Sequence, residues 1–219
     1  MFKQAVLAVF FSSFAVTAMA WADTPEFSYQ ADVPPMPRPA EPPRWRVIAQ
    51  VGYMSGGDEL INAHVYNSFF DSTSSVDIKA GQGVWFIAGA EVPLSPSWAV
   101  QARVGYLFDS INSRNNSASF LRYPVEILPL FTINQVQFGV GLTYHIDPFL
   151  DSGWEGGDVR FKNALGLVAE INYVWLERAR VGLHFTQIDY DVKSVEAGYQ
   201  VSKNRVNGSG AGIHFTAAF

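Results

Sequence analysis

Residues 99–108 read AVQARVGYLF, in which Val100, Ala102, Val104, Tyr106 and Phe108 alternate with Gln101, Arg103, Gly105 and Leu107. Strict alternation is the period of a β-strand with two unlike faces. Eight such runs follow one another, at about 45–55, 83–93, 98–108, 118–132, 135–146, 164–175, 179–190 and 208–219, and no helical period competes with them. The intervals between the runs alternate as well. They are long at 56–82, 109–117, 147–163 and 191–207, and short at 93–97, at Asn134 and from Leu176 to Arg178. Long and short connections at opposite ends predict an all-β fold: an eight-stranded antiparallel up-and-down transmembrane barrel, with a loop-rich mouth and a trimmed rim.

The two faces differ in kind. One is apolar throughout, with Trp45, Val47 and Val51 in the first run and Ala211, Ile213, Phe215 and Phe219 in the last. The other carries Arg46, Gln50, Glu91, Arg103, Arg122, Glu126, Glu170, Arg180, His184 and His214, spaced by Gly and Ala. A soluble barrel would turn the apolar face inward, whereas a membrane barrel turns it to lipid. Lysine separates the two: Lys79, Lys162, Lys193 and Lys203 all fall between the runs, although a water-facing sheet normally displays lysine. Arg with Glu suits a crowded interior, where a planar guanidinium meets carboxylates in bidentate fashion. Aromatic residues gather at both ends of the apolar face, Trp45, Trp98, Tyr173 and Trp175 at the rim and Tyr53, Tyr106, Tyr123 and Tyr144 toward the mouth, as interfacial girdles do. Pro124 and Pro129 interrupt the fourth run, and a bulge or local break is expected at Pro124.

Ahead of the barrel, residues 1–22 have the form of a secretory signal peptide: Lys3, an apolar run, then small residues around Ala20 and Ala22. Residues 23–44 hold seven of the twelve prolines and read as an extended tail. The chain has no cysteine, so neither disulfides nor a lipidated cysteine is available. Its net charge of −5 provides no footprint for nucleic acid.

The strand count, the loop asymmetry and the ending GAGIHFTAAF resemble the small eight-stranded outer-membrane barrels of Gram-negative bacteria, the class of the OmpA transmembrane domain and of OmpW. That resemblance covers residues 45–219 and implies outer-membrane lipid around the wall, extracellular long loops and a periplasmic Pro-rich tail. It also implies that Ile213, Phe215 and Phe219 act as the signal read by the barrel-assembly machinery.

The inward polar residues predict a salt-bridged plug, for an eight-strand interior has room for little beyond side chains. Above it the inward positions Met54, Trp85, Ile87, Leu107 and Phe120 are apolar. They predict core-like packing or, as the OmpW resemblance implies, a pocket for small hydrophobic solutes. The triplet His184-Phe185-Thr186 resembles the His-x-Ser of barrel lipid A deacylases, with Glu196 downstream. Thr replaces Ser, however, and the parity of His184 points it at the lumen. No cofactor, metal or catalytic residue is assigned. The expected role is structural or in surface interaction, with a ligand for the long loops as the candidate partner; a narrow solute channel is the alternative, and a lipid A-modifying enzyme a minor one.

Overall fold

The structure, a computed structural model, describes residues 44–67, 72–112, 117–153, 157–196 and 203–219; the leader and, Arg44 apart, the Pro-rich tail lie outside the described residues, as do Phe69 and Phe70. In chain order the strands are β1 (Arg46–Ser55), β2 (Glu59–Asn67), β3 (Ser72–Lys79), β4 (Gly83–Pro93), β5 (Trp98–Asn112), β6 (Ser117–Ile133) and β7 (Val136–Ser152). They continue as β8 (Val159–Phe161), β9 (Ala164–Leu176), β10 (Ala179–Gln187), β11 (Asp189–Val195), β12 (Arg205–Asn207) and β13 (Gly210–Ala218).

Each of the eight alternating runs forms a strand of one closed circuit. β1, β4, β5, β6, β7, β9, β10 and β13 pair antiparallel in that order, and β13 returns to β1 from Ile48↔Ala218 to Ser55↔Ala211. Closure leaves the circuit no unpaired edge. The rim turns are short for local reasons. Asn134 adopts a left-handed φ of 54°, which asparagine tolerates, and the Leu94 amide donates to the Trp98 carbonyl at 2.8 Å to turn β4 into β5.

The polarity of the wall is inverted, as the alternation predicts. Val104, Val140 and Ile213 are 58%, 66% and 66% exposed, while Arg103, Glu170 and Arg180 are no more than 4% exposed. The aromatics at the two ends, Trp98 and Trp175 at the rim and Tyr53 and Tyr144 toward the mouth, also face outward.

Intervals read as loops from the sequence prove to be partly strand. β5, β6 and β7 run past the mouth aromatics, and β8, β11 and β12 extend the wall beside them. A bulge concealed this extension. Asp147 and Pro148 together oppose Arg122, with Asp147 at φ 46°, so the buried face of β7 switches from Thr143 and His145 to Pro148, Leu150 and Ser152. The break expected at Pro124 is present on the β5 side, where pairing lapses between Val104↔Val125 and Leu107↔Arg122, and the bulge in β7 lies across the sheet opposite Arg122. Two of the lysines that fall between the runs lie in these additional strands, Lys79 at the end of β3 and Lys193 in β11, and none of the four stands in a circuit strand.

β2 and β3 pair as a hairpin, and the ends of that hairpin pack into the mouth. Leu60, Ile61, Ile78 and Ala80 join Phe120, Phe161, Ile188 and Tyr190 in one apolar core that caps the barrel. Asp58 fastens the cap to the opposite connection. Its amide donates to the Asn207 carbonyl at 2.7 Å, and its carboxylate accepts from the Asn207 amide at 3.1 Å and from Lys203 at 3.3 Å. The Asn207 amide holds the Asp58 carboxyl below its ordinary pKa.

Inside, the inward glycines yield space to large neighbours. A Cβ on Gly52 would stand 2.5 Å from the Trp85 ring and 2.6 Å from the Ile213 carbonyl. Gly52→Val is accordingly expected to destabilise the barrel by about 1–3 kcal/mol. A lowered urea midpoint for the refolded protein in detergent checks this.

Candidate functional site

Among the described residues, the lumen gathers buried polar side chains from many strands, because inward parity from every circuit strand converges there. At its centre Arg103 of β5 donates from Nε to Glu126 at 2.6 Å and from Nη2 to Glu170 at 2.7 Å. Glu126 is its cross-strand partner on β6, whereas Glu170 reaches it from β9 across the lumen. Glu170 also accepts from Gln50 at 3.3 Å and from Asn172 at 3.3 Å, and lies 2.9 Å from His184 Nδ1. Asn172 turns its carbonyl oxygen to His214 Nε2 at 2.7 Å. Gly182 leaves the room for that contact, since a Cβ there would collide with the Asn172 oxygen.

Toward the rim stands a second pair. Arg180 grips both oxygens of Glu91, at 2.5 and 2.7 Å, and also donates to Gln137 at 3.1 Å. Gln101 joins the two levels: it donates to Glu91 at 2.8 Å and accepts from Arg103 at 3.2 Å. The result is one continuous network in which each described carboxylate meets a guanidinium, the condition under which buried charge persists.

Of the ten polar residues assigned to the lumen, the structure brings eight together: Gln50, Glu91, Arg103, Glu126, Glu170, Arg180, His184 and His214. Two need correction. Arg46 has inward parity but stands at the rim, where it is exposed opposite Glu91. Arg122 lies above the network, stacked on Phe120 at 4.5 Å and donating to the carbonyls of Ala80 and Gln82, so it anchors the cap.

The five apolar positions divide likewise. Met54, Trp85, Ile87 and Leu107 form one buried cluster, with the Trp85 ring 4.8 Å from that of His184, whereas Phe120 belongs to the core of the cap. Two side chains escaped the sequence reading, His145 and Tyr190, bonded at 2.6 Å beneath the cap, while Thr186 of the His-x-Thr triplet lies 2.9 Å from His184 Nε2. Their inward parity was the available signal, His145 with Gln137 and Tyr190 with His184. Ile213, Phe215 and Phe219 all face outward on or beside β13.

Glu170, His184 and His214 have donor atoms within 4.8 Å of one another. A single oxygen of Glu170 already serves both Arg103 and His184, so the guanidinium supplies the positive charge that a metal would bring. Thr186, His184 and Glu170 are also in hydrogen-bonding sequence, in the manner of a nucleophile, base and orienting acid. All three are buried in the lumen, and Phe185 between them is the residue that faces out.

No protein family and no curated protein matches the sequence. Among solved structures the chain is similar to Ail, the attachment invasion locus protein of Yersinia pestis, in complex with the heparin analogue sucrose octasulfate. The identity is 11% and the TM-score 0.45, over 80% of this chain and 97% of that one. It is also similar to Neisserial surface protein A, at 12% identity and a TM-score of 0.41 over 80% of this chain and 97% of that one.

Arg103→Met would leave Glu126 and Glu170 buried without their shared cation. The substitution is expected to cost about 3–5 kcal/mol, as breaking a buried ion pair does. Urea titration followed by tryptophan emission measures the loss.

Proposed function

We propose that this chain is an integral, non-enzymatic barrel of the bacterial outer membrane, with a filled lumen and a structural or surface-interaction role. The observation that carries the reading is the inverted polarity of a closed circuit: an exposed apolar wall bounded by two aromatic girdles, around a buried ionic interior. Hydrocarbon is the environment in which such a wall is stable, and closure satisfies every strand there. In this reading Ile213, Phe215 and Phe219 serve as the assembly signal and outer-membrane lipid is the principal partner.

The surface role draws on the capped mouth. There β8, β11 and β12 present a folded, charged exterior, with Arg160, Lys193 and Arg205 among Asp147, Asp189 and Asp191, to a ligand of the mouth-side loops. Passage of a small hydrophobic solute is the second reading. It would require displacing Met54, Trp85, Ile87 and Leu107 from one another and Phe120 from the cap. Lipid A chemistry would require Thr186 on the lipid face, and its side chain points the other way.

On β7 Val140 sits midway between Val136, the cross-strand partner of the rim aromatic Tyr173, and the mouth aromatic Tyr144, with its side chain outward. In liposomes, Val140→Arg is expected to destabilise the barrel by about 2–4 kcal/mol, the cost of arginine near a bilayer midplane. A change within about 0.5 kcal/mol, typical of a water-facing site, would count against the membrane reading. Reconstituted in planar bilayers, the unaltered protein is expected to give no steady conductance steps, whereas a solute channel would give them.

A further inference from the structure

We propose that the trimmed rim holds a binding site for the phosphate group of an anionic glycerophospholipid, built by Arg46 and Arg178 with Arg44. The inference rests on the membrane reading above and adds a ligand to it. A cavity of 590 Å³ opens at the rim, and Arg44, Trp45, Arg46, Glu177, Arg178 and Phe219 are among the residues that line it. Three guanidinium groups thus share the cavity with a single carboxylate side chain.

The network in the lumen explains why Arg46 is available. Its cross-strand neighbour is Glu91, but Glu91 already accepts from both terminal nitrogens of Arg180 and from Gln101. Arg46 therefore faces a carboxylate that is already neutralised, and it stands exposed at the barrel end. Arg178 is fixed in position by its turn, for its carbonyl accepts from the Ala218 amide at 2.8 Å. The Phe219 amide in turn donates to Val47 at 2.8 Å, which locks the floor of the cavity to β1.

The surroundings specify an amphiphile. Trp45 and Phe219 line the cavity and are 67% and 71% exposed, and Val47 continues the apolar wall above them. A phosphate held in the planar forks of two arginines would leave its acyl chains lying along that wall. A phosphate without chains gains only the polar half of the site. A zwitterionic headgroup brings an ammonium to the arginines together with its phosphate.

Native mass spectrometry of the folded full-length barrel tests the assignment, with phosphatidylglycerol or phosphatidylcholine added at equal concentration. The expected result is retention of one phosphatidylglycerol roughly tenfold in preference to phosphatidylcholine. Glycerol phosphate in excess should not displace it, and an Arg46→Gln/Arg178→Gln variant should lose the preference while keeping the heat-modifiable gel mobility of a folded barrel. Equal retention of the two lipids, displacement by glycerol phosphate, or undiminished preference in the variant overturns the site. The same preparation is offered to lipid vesicles: a barrel that inserts yet shows no preference refutes the phosphate site alone, whereas one that stays in water refutes the membrane reading beneath it.

Discussion

The pairing of β1 with β13 is the constraint on which the rest of the molecule depends. A sheet that turns its side chains of Val, Leu, Ile and Phe outward must lie in hydrocarbon, and in hydrocarbon an open strand edge costs several kcal/mol for each unpaired group. Returning the last strand to the first removes the edge altogether. Once the circuit is closed, every second residue is directed into a lumen too narrow for bulk water, and the chemistry of those residues is no longer free.

The interior is organised by the need to neutralise what closure buries. Arg103 lies between Glu126 and Glu170, Arg180 grips Glu91, and the amides of Gln50, Gln101, Gln137 and Asn172 add hydrogen bonds to these ion pairs and to His214. Above this level Trp85 covers the histidines, and the hairpin of β2 and β3 closes the mouth over Phe120 and Tyr190. Ions, apolar side chains and cap fill successive levels of one column. A polar interior here marks a filled lumen as readily as a passage.

The circuit was legible in the sequence because period-two alternation leaves no choice of face: Val104 and Arg103 differ by one position and lie on opposite sides of the wall. The network was legible as a set of residues and less so as a set of contacts. Shear displaces neighbouring strands, so inward parity alone did not show that Arg46 would emerge into solvent or that Arg122 would rise to the cap. The mouth was the least legible region. At Asp147 and Pro148 the bulge exchanges the two faces of β7, and a pattern that continues with reversed parity looks, in sequence, like a pattern that has ended. The segments β8 and β12 are three residues each, too short for alternation to register.

The orientation of the wall is the central claim, and the absence of cysteine from the chain makes it directly measurable. Single cysteines placed in turn from residue 137 to residue 144 of β7, spin-labelled and reconstituted in lipid, report which positions meet oxygen dissolved in hydrocarbon. The account predicts high oxygen accessibility at 138, 140, 142 and 144 and low accessibility at 137, 139, 141 and 143. The contradicting result is the opposite phase, or labels at the even positions that respond to a water-soluble relaxation agent instead.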